Sequence, residues 1–209
     1  MITQAKRWEH GPPPGFTSFA FQSYEPRELV MVTADPCDAM VHAAQAFHET
    51  VRLFDVSDEP PETLGELRQI SVECASGELV ATWDDDDIHS PVRLSEQVPA
   101  LVGLPSGDAC VLLRVLMDDV ARGERFTSPR GPWPQTMVAR RDVMPVYRAL
   151  PTSEDVAALA EFKQVVLLDR PELYRYRLNH GDNVSADAAW AEEVRSCAEL
   201  LDRMWGGAR

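Results

Sequence analysis

Four consecutive carboxylates, Asp84 to Asp87, follow directly on the apolar run ELVATW (78–83) and lead into IHSPVRL (88–94). Neighbouring like charges raise one another's cost of ionisation, and a strand end cannot fan all four apart. A positive partner is therefore expected. Aspartate oxygens are preferred ligands of hard cations such as Mg2+ or Mn2+, and in open α/β sheets ligands gather at the carboxyl ends of strands. A run of like charge is also the ordinary composition of a solvated turn. Its place after an apolar strand favours the metal reading.

Other candidates each carry two readings. Glu154 and Asp155 follow Ser153, where a carboxylate serves either as a general base or as a first-turn acid favoured by the helix dipole. His180, before Gly181, is a metal ligand or a turn residue. Arg68 is a diphosphate contact or the solvent-facing charge of an amphipathic helix. Trp133, between Pro132 and Pro134, is a sugar platform or a loop anchor. His42 and His48 stand six apart and share no helical face, so they form no paired metal site. The cysteines at 37, 74, 110 and 197 lack ligand spacing. There is no Gly-x-Ser-x-Gly elbow, phosphate loop, dinucleotide fingerprint or His-Glu-x-x-His helix, and two lysines, Lys6 and Lys163, leave little scope for Schiff-base chemistry.

The elements that must position these groups alternate in type. Apolar and β-branched runs predict strands at 28–33, 51–56, 78–83, 109–117, 137–143, 165–168 and 173–178. Between them, helices are expected at 16–24, at 38–51, from Thr63 with Glu66 at the capping-box distance, from about Pro91, at 153–162 and at 186–205. GPPPG (11–15) must be loop. Strand, turn and helix in repetition is the rhythm of an α/β protein with a mostly parallel central sheet flanked by helices.

The length of 209 residues and the absence of a linker or repeat predict one domain, 1–209. With 20 basic against 34 acidic side chains the formal charge is −14, a field that repels nucleic acid on average and attracts divalent cations. No run approaches the ~18–20 apolar residues of a membrane helix. Polar residues after Met1 suggest no signal peptide, so a cytoplasmic location is expected.

The segment GELVATWDDDDIHSPVRLSEQVPAL (77–101) resembles the metal-binding segment of family 2 glycosyltransferases of the GT-A fold, in which a strand delivers Asp-x-Asp-Asp, then Pro, Arg or Lys, Leu and a helix. Other pieces resemble that family in the same order: FAFQSYEPRELVMV (19–32), TLGELRQISVECASGELV (63–80), PQTMVARRDV (134–143), SED (153–155) and YRYRLNHGDN (174–183). The resemblance implies a GT-A domain with a nucleotide-sugar-binding half (1–102), an acceptor-side half (103–185) and a C-terminal helix (186–209). It implies transfer of a sugar from a nucleotide-diphosphate donor to a hydroxyl acceptor, inverting and dependent on Mn2+ or Mg2+. In those terms Asp86 and His180 would hold the metal, and Arg7, Asp35, Arg68, Asp84 and Asp85 would contact the donor. Asp155 would be the base, with Trp133, Thr136 and Glu154 on the acceptor side. The pattern departs from the family in two places. ITQAKR (2–7) replaces a Pro-Thr-Tyr-Asn-Arg-like turn, so that either the recorded start lies too far downstream or the first strand is a stub, and Thr33-Ala34 replaces an acidic pair, leaving Asp35 one position late. A degenerate nucleotide- or glycan-binding member and an acidic cation-binding module are the competing readings.

Overall fold

LVMVT is buried at every position, the pattern of a strand covered on both faces, and forms β1 (Leu29–Thr33). The computed structural model describes residues 1–178. His180 and the helix expected at 186–205 lie outside the described residues. β1 pairs in parallel with β2 (Val51–Asp55), the intervening helix α2 (Asp38–Ala46) making the crossover. On the other edge of β1 the start of the chain adds a single bridge, Ile2 to Val32, and then turns into a short 3-10 helix at Ala5–Trp8. The expected stub is thus one residue of pairing.

Among the described residues, two four-stranded sheets stand beside the β1–β2 pair. The first runs β3 (Leu79–Ala81), β8 (Trp133–Arg140), β5 (Ala109–Leu112), β9 (Val165–Leu168); the second runs β4 (Ile88–His89), β10 (Tyr174–Leu178), β6 (Leu116–Asp119), β7 (Glu124–Thr127). The parallel pairs are β1 with β2, β5 with β9 and β6 with β10, and the others are antiparallel, so the sheets are mixed. A cavity of about 860 Å³ lies between β1 and β3, lined by Leu29, Val30, Leu79 and Ala81.

The apolar run 109–117 is two strands rather than one. β5 ends at Leu112, Leu113 bonds to Leu168, Val115 bonds to the Ser128 hydroxyl, and β6 then enters the other sheet. A continuous apolar run carries no mark of such a switch, because both strands are deeply covered. β8 likewise starts at Trp133, and residues 141–143 form a 3-10 turn rather than its continuation.

Local signals explain the helices around the acidic run. In α3 (Leu64–Cys74) the expected capping box is formed: Glu66 N donates to Thr63 Oγ1 at 3.2 Å and Thr63 N to Glu66 Oε2 at 2.9 Å. α1 (Pro14–Ala20) begins with proline, whose missing N–H costs nothing there. Its Gly15 is demanded by contact, since a Cβ would sit 2.3 Å from the Asp84 carbonyl oxygen. α4 (Arg93–Val102) follows the turn at Pro91, and α5 (Glu154–Leu159) follows Ser153, which holds a left-handed φ of 61°. Among the described residues no helix is long and apolar enough to cross a membrane.

Candidate active site

The acidic run leaves the end of β3 and is gripped from three sides. Gly15 N donates to the Asp85 carbonyl at 2.8 Å, and Trp83 Nε1 donates back to the Gly15 carbonyl at 2.8 Å, so α1 and the run are locked together. The Trp83 indole stacks on the His89 ring at 3.8 Å between centroids, and His89 Nε2 lies 3.1 Å from the Asp84 carbonyl oxygen. From the third side β10 pairs Tyr174 with His89.

Each carboxylate has its own surroundings. Asp84 takes Arg68 Nη2 at 3.0 Å. Asp85, buried, accepts from the Thr3 hydroxyl at 2.7 Å; burial and the adjacent Asp86 push its pKa up to about 6. Asp86 accepts from Arg7 Nη2 at 3.1 Å, and both side chains retain some exposure. Asp87, 1% exposed, accepts from Tyr174 Oη at 2.6 Å and from Arg177 N at 2.8 Å. Burial, with Asp86 and Asp84 beside it, holds the Asp87 carboxyl well above the usual carboxylate range. Burial and the neighbouring Arg93 cation hold His89 well below the ordinary imidazole value.

A second cavity, about 870 Å³, gathers Asp84 to Asp87 with Lys6, Arg7, Arg68, Trp133, Gln135, Glu154, Asp155 and Tyr176. Arg68 is the tie across it. Its Nε donates to Glu154 Oε1 at 2.6 Å while its Nη2 holds Asp84, so α3 links the acidic run to the first turn of α5. Burial opposes the Arg68 charge, yet Asp84, Tyr147 and Glu154 outweigh it and raise its pKa well above the ordinary value. Asp155, half-buried, lines the same cavity, and burial raises its carboxyl above the usual range against the pull of Arg68. Among the described residues, no three His, Cys, Asp or Glu side chains converge on a point that could hold a metal ion.

Of the residues expected to act together, Arg7, Arg68, Asp84, Asp85, Asp86, Trp133, Glu154 and Asp155 all line this cavity. Two lie apart. Thr136, expected on the acceptor side, is fully buried: its hydroxyl accepts from Leu112 N at 2.8 Å and donates to the Trp133 carbonyl at 2.6 Å, bridging the irregularity between β5 and β8. Asp35 sits in the turn after β1, where its backbone N–H bonds Thr33 Oγ1, and it does not line the cavity. Glu154 lines the cavity but is only 2% exposed, its carboxylate taken up by the ion pair with Arg68. The sequence reading missed Thr3, Lys6, Tyr174 and Arg177. Lys6 lines the cavity, and the other three reach the run from positions roughly 80 to 90 residues away, Arg177 through its backbone N–H; no local pattern carries that information.

No protein-family model and no curated protein matches the chain in sequence. Its fold is that of the GT-A glycosyltransferases. It is similar to S. aureus TarS 1–349 in complex with UDP, at 16% identity and a TM-score of 0.62 over all of this chain and 71% of that one. M. tuberculosis glucosyl-3-phosphoglycerate synthase in complex with UDP is similar at 13% identity and a TM-score of 0.60, over 97% of this chain and 77% of that one. The Pyrobaculum calidifontis mannosyltransferase PcManGT, in complex with GDP-Man and Mn2+, is similar at 14% identity and a TM-score of 0.55, over 93% and 65%. The chain spans 55% and 60% of the length of two further TarS 1–349 structures, the second in complex with UDP-GlcNAc. At these identities the likeness is one of fold.

Proposed function

We propose that this protein is an inverting, divalent-metal-dependent glycosyltransferase related to family 2, moving a sugar from a nucleotide-diphosphate donor to a hydroxyl acceptor. The observation that carries the reading is the Arg68 tie: one guanidinium holds Asp84 at 3.0 Å and Glu154 at 2.6 Å, fixing the acidic run and the turn bearing Asp155 on the walls of one cavity in a GT-A fold.

The donor set is hard oxygen, suited to Mn2+ or Mg2+. Such ions are commonly held by one or two carboxylates together with substrate phosphates, so the lack of a three-residue cluster is compatible with Asp86 holding the ion jointly with the diphosphate. A cation bound there would supply Lewis-acid stabilisation of the departing diphosphate. Arg7, Lys6 and Arg68 add fixed positive charge along the same wall. Asp155, its proton affinity raised by burial, takes the proton of the acceptor hydroxyl as that oxygen attacks the anomeric carbon. The carbon–oxygen bond to the diphosphate breaks, and its electron pair leaves with the phosphate. Attack from the face opposite the leaving group inverts the centre. Trp133 offers an indole face to the acceptor sugar.

The test is release of UDP or GDP from a panel of nucleotide sugars with Mn2+, compared in the native protein and Asp86→Ala. The reading expects metal-dependent release by the native protein that the variant loses. Release that ignores both Mn2+ and Asp86 would refute it. A second reading, a member that binds nucleotide or glycan without turnover, is favoured by one observation: each of the four acids already has a protein partner, respectively Arg68, Thr3, Arg7 and Tyr174. It expects nucleotide binding without release.

A further inference from the structure

Arg93 is a large, fully buried side chain with no carboxylate in contact among the described residues. Its Nε donates to Gln97 Oε1 at 2.8 Å, its Nη1 to His89 Nδ1 at 2.6 Å and its Nη2 to the Thr82 carbonyl at 3.1 Å. The guanidinium carbon lies 5.0 Å from the Trp83 ring centroid and 5.3 Å from that of Tyr174. A buried cation without an ion-pair partner is costly, and it persists where surrounding dipoles and ring faces compensate it. Of these five neighbours Trp83 flanks the acidic run, and His89 and Tyr174 touch it.

A guanidinium can only donate, so His89 Nδ1 must be bare and its proton must sit on Nε2. That N–H faces the Asp84 carbonyl at 3.1 Å and donates to it. On the other side, Arg93 braces the Tyr174 ring, which also meets His89 edge-on at 4.9 Å. The Tyr174 hydroxyl donates to Asp87 at 2.6 Å and lies 3.4 Å from Asp84 Oδ2. One guanidinium therefore backs two grips on the run, one on the backbone of Asp84 and one on the carboxylate of Asp87.

We propose that Arg93, acting through the His89 imidazole and the Tyr174 phenol, is the positioning residue that sets the backbone and carboxylate orientation of Asp84 to Asp87 for a divalent cation and a diphosphate. The proposal rests on the reading under Proposed function and adds to it which side chains hold the run. One helical turn places Gln97 on the same side of α4 as Arg93, and β4, ending at His89 just before the helix, brings the imidazole to the guanidinium.

The experiment titrates Mn2+, alone and with UDP, into the native protein, His89→Ala, His89→Gln and Tyr174→Phe. Each variant's cooperative thermal transition is recorded as a check of folding. His89→Ala and Tyr174→Phe are expected to weaken Mn2+ binding on the order of ten-fold or more, the size typical of lost partners behind a metal ligand. His89→Gln, whose amide N–H reaches the place of Nε2, is expected to recover most of that loss. Independently of any ligand, long-range 1H–15N spectra of the native protein should show His89 as the Nε2–H tautomer at neutral pH. Native-like Mn2+ binding in folded His89→Ala and Tyr174→Phe would overturn the positioning role alone, as would an Nδ1–H or doubly protonated His89. Failure of the native protein to bind Mn2+ with or without UDP would overturn the underlying reading and this proposal with it.

Discussion

Asp85→Asn is expected to stabilise the metal-free protein, in a pH-dependent manner that the fold makes calculable. Asp85 is buried, with one hydrogen bond from Thr3, and its pKa is raised from 3.8 to about 6 by burial and by Asp86. The unfolded chain releases this proton near 3.8, whereas the native state holds it until about 6. Native stability therefore falls as pH rises through that interval and stays lower above it. A shift of this size corresponds to about 3 kcal/mol of destabilisation at pH 8. Asparagine keeps an acceptor for the Thr3 hydroxyl and never ionises, so it removes the penalty. For a domain of this size the gain corresponds to a melting temperature higher by roughly 6–12 °C at pH 8, and to little difference below pH 4. The assay is thermal or urea unfolding of both proteins in EDTA across pH 3.5–8. A difference that does not depend on pH, or a variant less stable than native at pH 8, would refute the electrostatic argument.

The remaining expectations follow from the same cavity. Arg68→Met leaves Glu154 buried and unpaired and should cost about 3–5 kcal/mol in unfolding free energy, while a further Glu154→Gln recovers part of the loss. Asp155→Asn should lower transfer by a factor of about 10²–10⁴ and leave the nucleotide-dependent rise in melting temperature intact, as read by single-turnover assay and thermal shift. Thr63→Ala removes one half of the α3 capping box and should cost about 1 kcal/mol by urea denaturation, with no change in nucleotide binding.

How much of this was legible in the sequence depended on the range of each signal. The acidic run, the Thr63 cap and the strands at 29–33, 51–55 and 165–168 are written locally, in charge density, capping chemistry and β-branched runs. The ordered resemblance brought Asp155 and Arg68 to the same cavity as Asp84 to Asp87, from segments 16 to 71 positions away. Thr136 escaped because a threonine three positions after a tryptophan looks the same whether its hydroxyl faces a ligand or mends a bulge. The hairpin of β6 and β7 escaped because β7 is mostly exposed and polar, and only Gly123, at φ 67°, marks its turn. Arg93 and Gln97 stand at four-residue spacing in α4, a pattern equally typical of a solvated helix face, and His89 lies in the strand before it. Burial of an arginine on that face is a tertiary fact with no local signature.

The most direct test of the central claim is a thermal-shift measurement with UDP or GDP, each with and without Mn2+, on the native protein and Asp86→Ala. A ligand that binds only the folded state raises the melting temperature by mass action. The account predicts a rise in the native protein that needs nucleotide and Mn2+ together and that Asp86→Ala abolishes. A rise produced by nucleotide alone and unchanged in Asp86→Ala, or no rise with either nucleotide, would contradict it.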